Sequence, residues 1–411
     1  MSSMEVCIIG GGASGMTAAI AAARQGARVT ILEHMDRIGK KILSTGNGKC
    51  NLTNLVQEPS CYRSSQEQLP FSVIQAFNEK DVIAFFSSLG IFTKNKNGYM
   101  YPHSEQASAV LDVLRMELSR LQVQVICSIA VTKIEKKREN FFIYTDQETL
   151  KADRLILATG SKAAPVTGSD GSGYALAKAF GHHIIKPLPA LVQLYGEGSY
   201  FKSLTGVRTD AKVTLYIDGK ETVSDRGEVQ MTDYGISGIP VFQVSRYAER
   251  ALDKKREVIS VLDFMPDFNE EIFLRFLMKR AEENMHKTLE EFFIGIFHKK
   301  LITVLLKESG FSSSKPVSSM KERDFQRLVS VCKFFEIPIT GTKPFENAQV
   351  CSGGVDLKEI NCNTMESVLV KHLFFAGEIL DVDGKCGGYN LQWAWSSGYI
   401  AGYCAAKGKL C

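Results

Sequence analysis

One strand-turn-helix-strand unit near the start restricts the fold of this chain more than any other feature of its 411 residues. Glu5-Val6-Cys7-Ile8-Ile9 is the short apolar run of a buried strand. Gly10-Gly11-Gly12-Ala13-Ser14-Gly15 follows, and an alanine-rich helical stretch then runs to Gln25 and stops at Gly26. Arg28-Val29-Thr30-Ile31-Leu32-Glu33 supplies a second strand. A right-handed crossover between two such strands sets them side by side in a parallel sheet.

The glycines sit where a dinucleotide needs them. Gly10 permits the tight turn, Gly12 lets backbone approach a pyrophosphate, and Gly15 allows close helix-to-strand packing. The helix start offers N–H groups and a positive dipole end. Glu33, 18 residues past Gly15, ends the second strand, where a carboxylate accepts hydrogen bonds from ribose hydroxyls. The competing reading is of glycines that merely let a helix pack on a sheet, and the strand-turn-helix-strand context with this spacing favours the dinucleotide. A nicotinamide enzyme of this kind generally continues into another strand-helix-strand unit. This chain instead has an irregular Gly-, Asn-, Ser- and Thr-rich stretch from Gly39 to about Leu69 and later closes with Gly377-Glu378, which suits a long, enclosed FAD.

Such a length exceeds what one core usually organises, so the chain reads as two or three domains. With 45% apolar and 23% charged residues it is an ordered globular protein, which excludes collagen, coiled coil and disorder. Strands alternate from about 189 to 265, with the hairpin signal Asp218-Gly219, and residues 269–335 carry helical spacing, with Ser319-x-x-Glu322 as a capping box. After Pro344 the α/β character resumes. The expected architecture is an α/β nucleotide-binding domain formed by residues 1–188 and 341–411, interrupted by a small β domain at 189–265 and a helical cap at 266–340.

Forty-nine basic against 45 acidic side chains leave a net charge of +4, too little for a nucleic-acid surface. Ten cysteines, among them Cys411, contain no Cys-x-x-Cys and no metal-ligand or extracellular disulfide spacing, so they read as cytosolic thiols and no metal is expected. Val6 to Ala23 is uncharged, but its three consecutive glycines and the lack of a preceding basic residue argue against a signal peptide or a span. A cytoplasmic protein acting on a small apolar molecule is expected, with no nucleic-acid or membrane partner; the oligomeric state is not legible.

Ile38-Gly39-Lys40-Lys41, the run Ser44-Thr45-Gly46-Asn47-Gly48-Lys49-Cys50-Asn51, Ala158-Thr159-Gly160, and Gly377-Glu378 through Gly387-Gly388-Tyr389-Asn390-Leu391-Gln392 resemble the BaiN-like and aminoacetone-oxidase-like FAD oxidoreductases of the glutathione-reductase superfamily. The resemblance covers nearly the whole chain. It implies noncovalent FAD in a Rossmann-like domain, with an inserted β-barrel and a helical cap. It further implies that Ser14 and Gly15 meet the pyrophosphate and Glu33 the ribose, that Lys40, Cys50 and Asn51 line the dinucleotide, and that Val131 offers backbone to the adenine. Thr159, Gly160, Gly377 and Leu391 complete the cofactor set. The helix opened by Gly388 points its positive end at the flavin pyrimidine, beside Glu378 and Asn390. The implied reaction is reduction, by NADH or NADPH, of a C=C bond conjugated to a carbonyl in a steroid-like molecule. An amine oxidase and a flavin-binding RNA-modification or regulatory protein are the rivals.

Such a reduction needs a proton donor. Tyr234, in Thr232-Asp233-Tyr234-Gly235-Ile236-Ser237-Gly238, and Tyr389 are the candidates, Tyr234 being favoured because flanking glycines let backbone approach a ligand. Gly168-x-x-Gly171-x-Gly173 lacks a preceding buried strand and is not read as a second dinucleotide site. Cys351 and Cys386 read as packing thiols, and Trp393 and Trp395 as helix-packing side chains.

Overall fold

The computed structural model describes residues 3–408, so Cys411 lies outside the described residues. The chain divides into two compact units, residues 1–188 with 348–411 and residues 189–347.

In the first unit, β1 (Glu5–Ile9), α1 (Ala13–Arg24) and β2 (Arg28–Leu32) form the expected unit. β1 is an inner strand of a seven-stranded sheet. It pairs in parallel with β2 on one side and with Arg154–Leu157 on the other, and the latter pairs in parallel with Leu373–Phe375. Gln124–Ile126 extends the sheet beyond β2, while Glu366–Ser367 and Ile360–Asn361 close the opposite edge antiparallel. Ile8, Ile31, Leu155, Ile156 and Phe375 are completely buried, as parallel strands covered on both faces require.

α1 and the closing helix, Tyr389–Lys407, meet backbone to backbone. A Cβ at Gly398 would lie 2.5 Å from the Ser14 carbonyl oxygen, and one at Gly402 would lie 2.0 Å from that of Ala18. Only glycine permits this approach. The closing helix also carries the cross-links that hold the sheet's C-terminal edge: Ser397 Oγ accepts the Gly377 N–H at 2.9 Å, and Trp393 Nε1 donates to the Gly377 carbonyl at 3.0 Å.

The second unit is a closed six-stranded barrel with helices. Its neighbours run Leu194–Gly196, Gly235–Ser237, Lys220–Met231, Arg208–Ile217, Val258–Asp263 and Phe335–Thr342, the last returning to the first. Asp218 and Gly219, with φ of 49° and 76°, make the two-residue hairpin their sequence signalled. Two boundaries differ from the sequence reading. The helical segment ends at Lys333 and Phe335–Thr342 is a barrel strand, because Phe335, Ile337 and Ile339 alternate inward at period two. The last cap helix, Glu322–Lys333, is opened by the Asp324 carboxylate, which accepts the Lys321 backbone N–H at 3.0 Å, rather than by Ser319 and Glu322; Ser319 instead ends a short turn of its own. A 15-residue helix, Ile239–Asp253, also lies within the stretch read as alternating strands. Among the described residues no helix is long and apolar enough to cross a membrane.

Candidate functional site

Two helix starts without side-chain caps define the candidate cofactor site of the first unit. Gly12 precedes α1 and Gly388 precedes the closing helix, and neither helix has a capping side chain on its first N–H groups. Uncapped N–H groups at the positive end of a helix dipole are a place for an anion or an electron-rich ring. The glycines of the first turn have separate roles. A Cβ on Gly10 would be 2.5 Å from the Ala158 carbonyl oxygen and one on Gly15 would be 2.0 Å from that of Gly10, so both serve close packing. A Cβ on Gly12 would meet nothing within 4 Å. The open approach is at Gly12, at the mouth of the turn, and Gly15 is turned toward the strand.

Glu33 is buried and clamps the turn. Its Oε2 accepts the Gly11 N–H at 2.8 Å and its Oε1 accepts the Met35 N–H at 2.9 Å, with His34 Nδ1 at 3.2 Å. The Glu33 backbone carbonyl accepts the Ile129 N–H, two residues before Val131 opens the strand Val131–Lys137. The wall beside it was not read from the sequence. Gly168 packs on Met35 and His34, and Asp170 lies 4.0 Å from His34. A Cβ on Gly173 would be 1.9 Å from Thr159 Oγ1. The second glycine pattern therefore shapes the loop against Ala158-Thr159-Gly160. Gly160 has φ of 75°, where a side chain would be strained.

The irregular segment is a 3-10 turn, Lys40–Gly48, interrupted by left-handed residues. Gly39, Gly46, Asn47, Gly48 and Cys50 all have positive φ, which erases any helical or strand period from the sequence. Non-glycine residues held in that region cost about 1 kcal/mol or more and cluster at functional sites. Lys40 pairs with Asp36 at 2.5 Å, and Lys41, not singled out from the sequence, pairs with Glu378 at 2.6 Å. Ser161 Oγ donates to the same Glu378 oxygen at 3.1 Å. The turns after three parallel strands thus carry Gly10, Thr159, Gly160, Gly377 and Glu378 at one end of the sheet.

Around the second helix start, Gly388 leaves no room for a Cβ, which would lie 2.7 Å from Thr53 backbone carbon and 3.0 Å from Asn51 Oδ1. Asn51 Oδ1 and Thr159 Oγ1 are buried and have no hydrogen-bond partner. Buried polar atoms left unpaired are costly, and here they mark groups available to a ligand. Asn390 ties its own loop, accepting the Gly384 N–H at 2.7 Å and donating to the Gly384 and Lys385 carbonyls at 3.1 and 3.3 Å. Leu391, next to it, is half-buried. Cys50 is fully buried, and burial pushes its thiol up to about 12. The nine described cysteines form no disulfide.

The two tyrosine candidates separate. Tyr389 is 7% exposed and packs edge-on against Tyr62 at 5.8 Å. Burial, reinforced by the neighbouring Cys61 thiol, raises its phenol well above the ordinary tyrosine range. The Tyr389 ring is thus enclosed in an aromatic contact with Tyr62. Tyr234 belongs to the barrel unit, where it is half-buried beside Tyr195 and Lys343.

A family model, the HI0933-like protein Rossmann domain, matches residues 4–404. The chain belongs to this HI0933-like family. A 3-dehydro-bile acid delta(4,6)-reductase of Clostridium scindens is 45% identical over 405 residues, covering 98% of this chain and 99% of that protein. A ribosomal RNA dihydrouridine synthase of Haemophilus influenzae is 31% identical over 401 residues, 96% of each chain. The open conformation of a flavocytochrome c3 fumarate reductase shares the fold at a TM-score of 0.52 and 15% identity, over 100% of this chain and 79% of that one. The Rossmann-type α/β domain with an inserted barrel is therefore the fold of this HI0933-like protein.

Proposed function

We propose that this HI0933-like protein is an FAD-dependent reductase of a C=C bond conjugated to a carbonyl, with a steroid of the 3-oxo-Δ4 or Δ6 class as substrate and NADH or NADPH as reductant. The observation that carries the reaction class is the 45% identity, end to end, with the bile-acid reductase. The residues fit FAD: an open Gly12, two uncapped helix starts, a ribose-side carboxylate and the unpaired Asn51 and Thr159 oxygens. FAD, when bound, supplies the two-electron chemistry that links the nicotinamide to the unsaturated bond.

The protein's own residues bind and orient. N–H groups from Gly12 to Ser14 take the pyrophosphate, and Glu33 takes the ribose through the acceptor capacity its two N–H partners leave. Lys40, Cys50, Asn51, Val131, Thr159, Gly160, Gly377, Glu378, Asn390 and Leu391 line the dinucleotide, and the helix start at Gly388 favours negative charge on the pyrimidine side. Tyr234 gives its phenolic proton to the substrate α-carbon.

A second reading is favoured by the 31% identity with the dihydrouridine synthase. The C5=C6 bond of uracil is also conjugated to a carbonyl, so only the substrate differs. Against it, residues 189–347 hold 23 basic and 23 acidic side chains and offer no net field to a polyanion. The test is anaerobic spectroscopy of the FAD-loaded protein. NADH or NADPH is expected to bleach the visible absorption of the flavin, and an unsaturated 3-oxo steroid to restore it. Restoration by unmodified ribosomal RNA alone, with dihydrouridine found by mass spectrometry, replaces the steroid with a uridine. Bleaching by aminoacetone in place of the nicotinamide makes the protein an oxidase.

A further inference from the structure

A hairpin in the first unit lines up aromatic rings and ammonium groups on one face. Its strands, Thr93–Lys96 and Tyr99–Pro102, are joined by Asn97-Gly98, whose φ values of 53° and 92° make the tight two-residue turn that fixes register. Directly opposite residues share a face, so Lys94 stands beside Tyr101 and Lys96 beside Tyr99. One step further along, the His103 backbone N–H donates to the Phe92 carbonyl and the two rings meet at 5.4 Å. Met100 and Pro102 are buried on the other face, whereas Phe92 is 75% exposed and Tyr99 41%. Three ammonium groups converge on Glu105: Lys96 at 2.6 Å, Lys94 at 3.0 Å and Lys49, from the irregular segment, at 3.0 Å. They hold its carboxyl well below the usual carboxylate range, Lys96 most of all. Glu105 has φ of 53°, a strained backbone for a residue with a side chain, of the kind that clusters at functional sites. The face adjoins the cofactor turns: a Cβ on Gly387 would be 2.6 Å from Tyr99 Cε1, and one on Gly46 would be 3.6 Å from Tyr101 Cε1.

We propose that this face binds the 2′-phosphoadenosine end of NADPH, with Lys49, Lys94 and Lys96 on the phosphate and the Tyr99 ring under the adenine. This rests on the proposed reductase reading and names its reductant. Three cations around one carboxylate leave an excess of two positive charges, and a phosphomonoester carries about −1.5 to −2 at neutral pH. Each ammonium has three N–H donors and a carboxylate about four acceptor sites, so most of the donors remain for a ligand. Lys94 and Lys96 are half-buried, and the Lys96 ammonium also lies 5.7 Å from the centroid of the Tyr101 ring, which restricts where it can go. An exposed ring next to a phosphate site suits a purine, which stacks on it whatever its edge carries. The cations gather at one point rather than along a track, which fits one phosphate group better than a polynucleotide backbone. NADH lacks that phosphate, so the face discriminates between the two reductants.

The test is calorimetric titration of the FAD-loaded protein with 2′,5′-ADP and with 5′-AMP, which needs no turnover. Wild type is expected to bind 2′,5′-ADP about 10-fold or more tighter, the scale of charge-assisted hydrogen bonds, and the double variant Lys94→Gln/Lys96→Gln to lose that difference. Glu105→Gln removes the carboxylate with which the phosphate competes and is expected to tighten 2′,5′-ADP, a gain that a merely structural Glu105 would not give. Tyr99→Ala is expected to weaken both nucleotides alike. Equal binding of the two nucleotides by wild type, or an unaltered ratio in the double variant, overturns the proposal. So does tighter binding of 3′,5′-ADP than of 2′,5′-ADP, which makes the occupant a 3′-phosphoadenosine, and so does binding of single-stranded RNA without binding of 2′,5′-ADP, which makes the face a nucleic-acid surface. If neither NADH nor NADPH reduces the flavin of wild-type protein, the reductase reading fails, while the titration still decides whether the face holds a 2′-phosphate.

Discussion

Replacing Glu33 by alanine tests whether the carboxylate is a ligand group only or also a clamp of the fold. In the structure it satisfies the Gly11 and Met35 N–H groups at 2.8 and 2.9 Å, and the Gly11 group is buried. A buried donor left without an acceptor costs about 1–3 kcal/mol, and the partly exposed Met35 N–H, which water can reach, adds less. Glu33→Ala is therefore expected to destabilise the FAD-free protein by about 2–4 kcal/mol. That corresponds to a fall of about 5–15 °C in Tm for a unit of this size. Glu33→Gln retains one acceptor and is expected to fall between. FAD affinity drops further in both variants because ribose contacts are lost as well. The assay is urea unfolding of FAD-stripped protein followed by far-UV circular dichroism, alongside equilibrium FAD binding. A Glu33→Ala protein that unfolds at the wild-type urea midpoint, and differs only in FAD affinity, refutes the clamp.

The remaining expectations concern the same unit. Gly402→Ala places a Cβ 2.0 Å from the Ala18 carbonyl oxygen, so Tm falls even though alanine favours a helix by about 1 kcal/mol; a higher Tm by calorimetry contradicts the packing argument. Buried His182, neutral, donates from Nδ1 to Glu359 at 3.0 Å and accepts at Nε2 from Ser367 Oγ at 2.8 Å. Burial lowers its proton affinity more than Glu359 raises it, so the unfolded chain takes the proton first. Its stability contribution is full above pH ~6.5 and declines as pH falls below that value. Tm difference between wild type and His182→Gln, measured from pH 8 to 5 (about the range over which histidine titrates), is expected to shrink toward acid, and a constant difference rejects the role. With Tyr234 as the favoured acid, Tyr389→Phe is expected to keep kcat within about 2-fold, whereas a loss of about 10²-fold makes Tyr389 the acid.

The β1-α1-β2 unit was legible because local sequence and tertiary demand agree: Ile8 and Ile31 are buried strand residues, and Gly10 and Gly15 sit where a side chain has no room. The segment after Gly39 gave motif but no shape, since a run of left-handed residues has no period. The helix Ile239–Asp253 did carry a helical pattern, with Val241, Val244, Ala248 and Ala251 inward, but it lies between strands and was absorbed into them. Phe335–Thr342 was lost to the preceding helices although its alternation was present. Burial decided what motif could not: Tyr389 is part of the most recognisable run in the sequence, yet its ring is enclosed with that of Tyr62, and Tyr234 acquires its partner from Lys343, more than a hundred residues away. The Lys41–Glu378 pair joins residues far apart in the chain and leaves no local trace.

The glycine-mediated contact between α1 and the closing helix also governs the order in which the chain can be completed on a ribosome. Residues 189–347 are continuous, so the barrel unit has all its partners soon after they emerge. Ala18 must wait for Gly402, 384 residues later. At about 5–20 residues per second that delay is about 20–80 s, during which the alanine face of α1 lacks its partner helix. A nascent chain of this protein therefore carries an open nucleotide fold through most of its synthesis, and that interval is when a chaperone or a protease meets it. A stop codon just before the closing helix is expected to release a finished barrel attached to a complete sheet whose α1 has no partner helix.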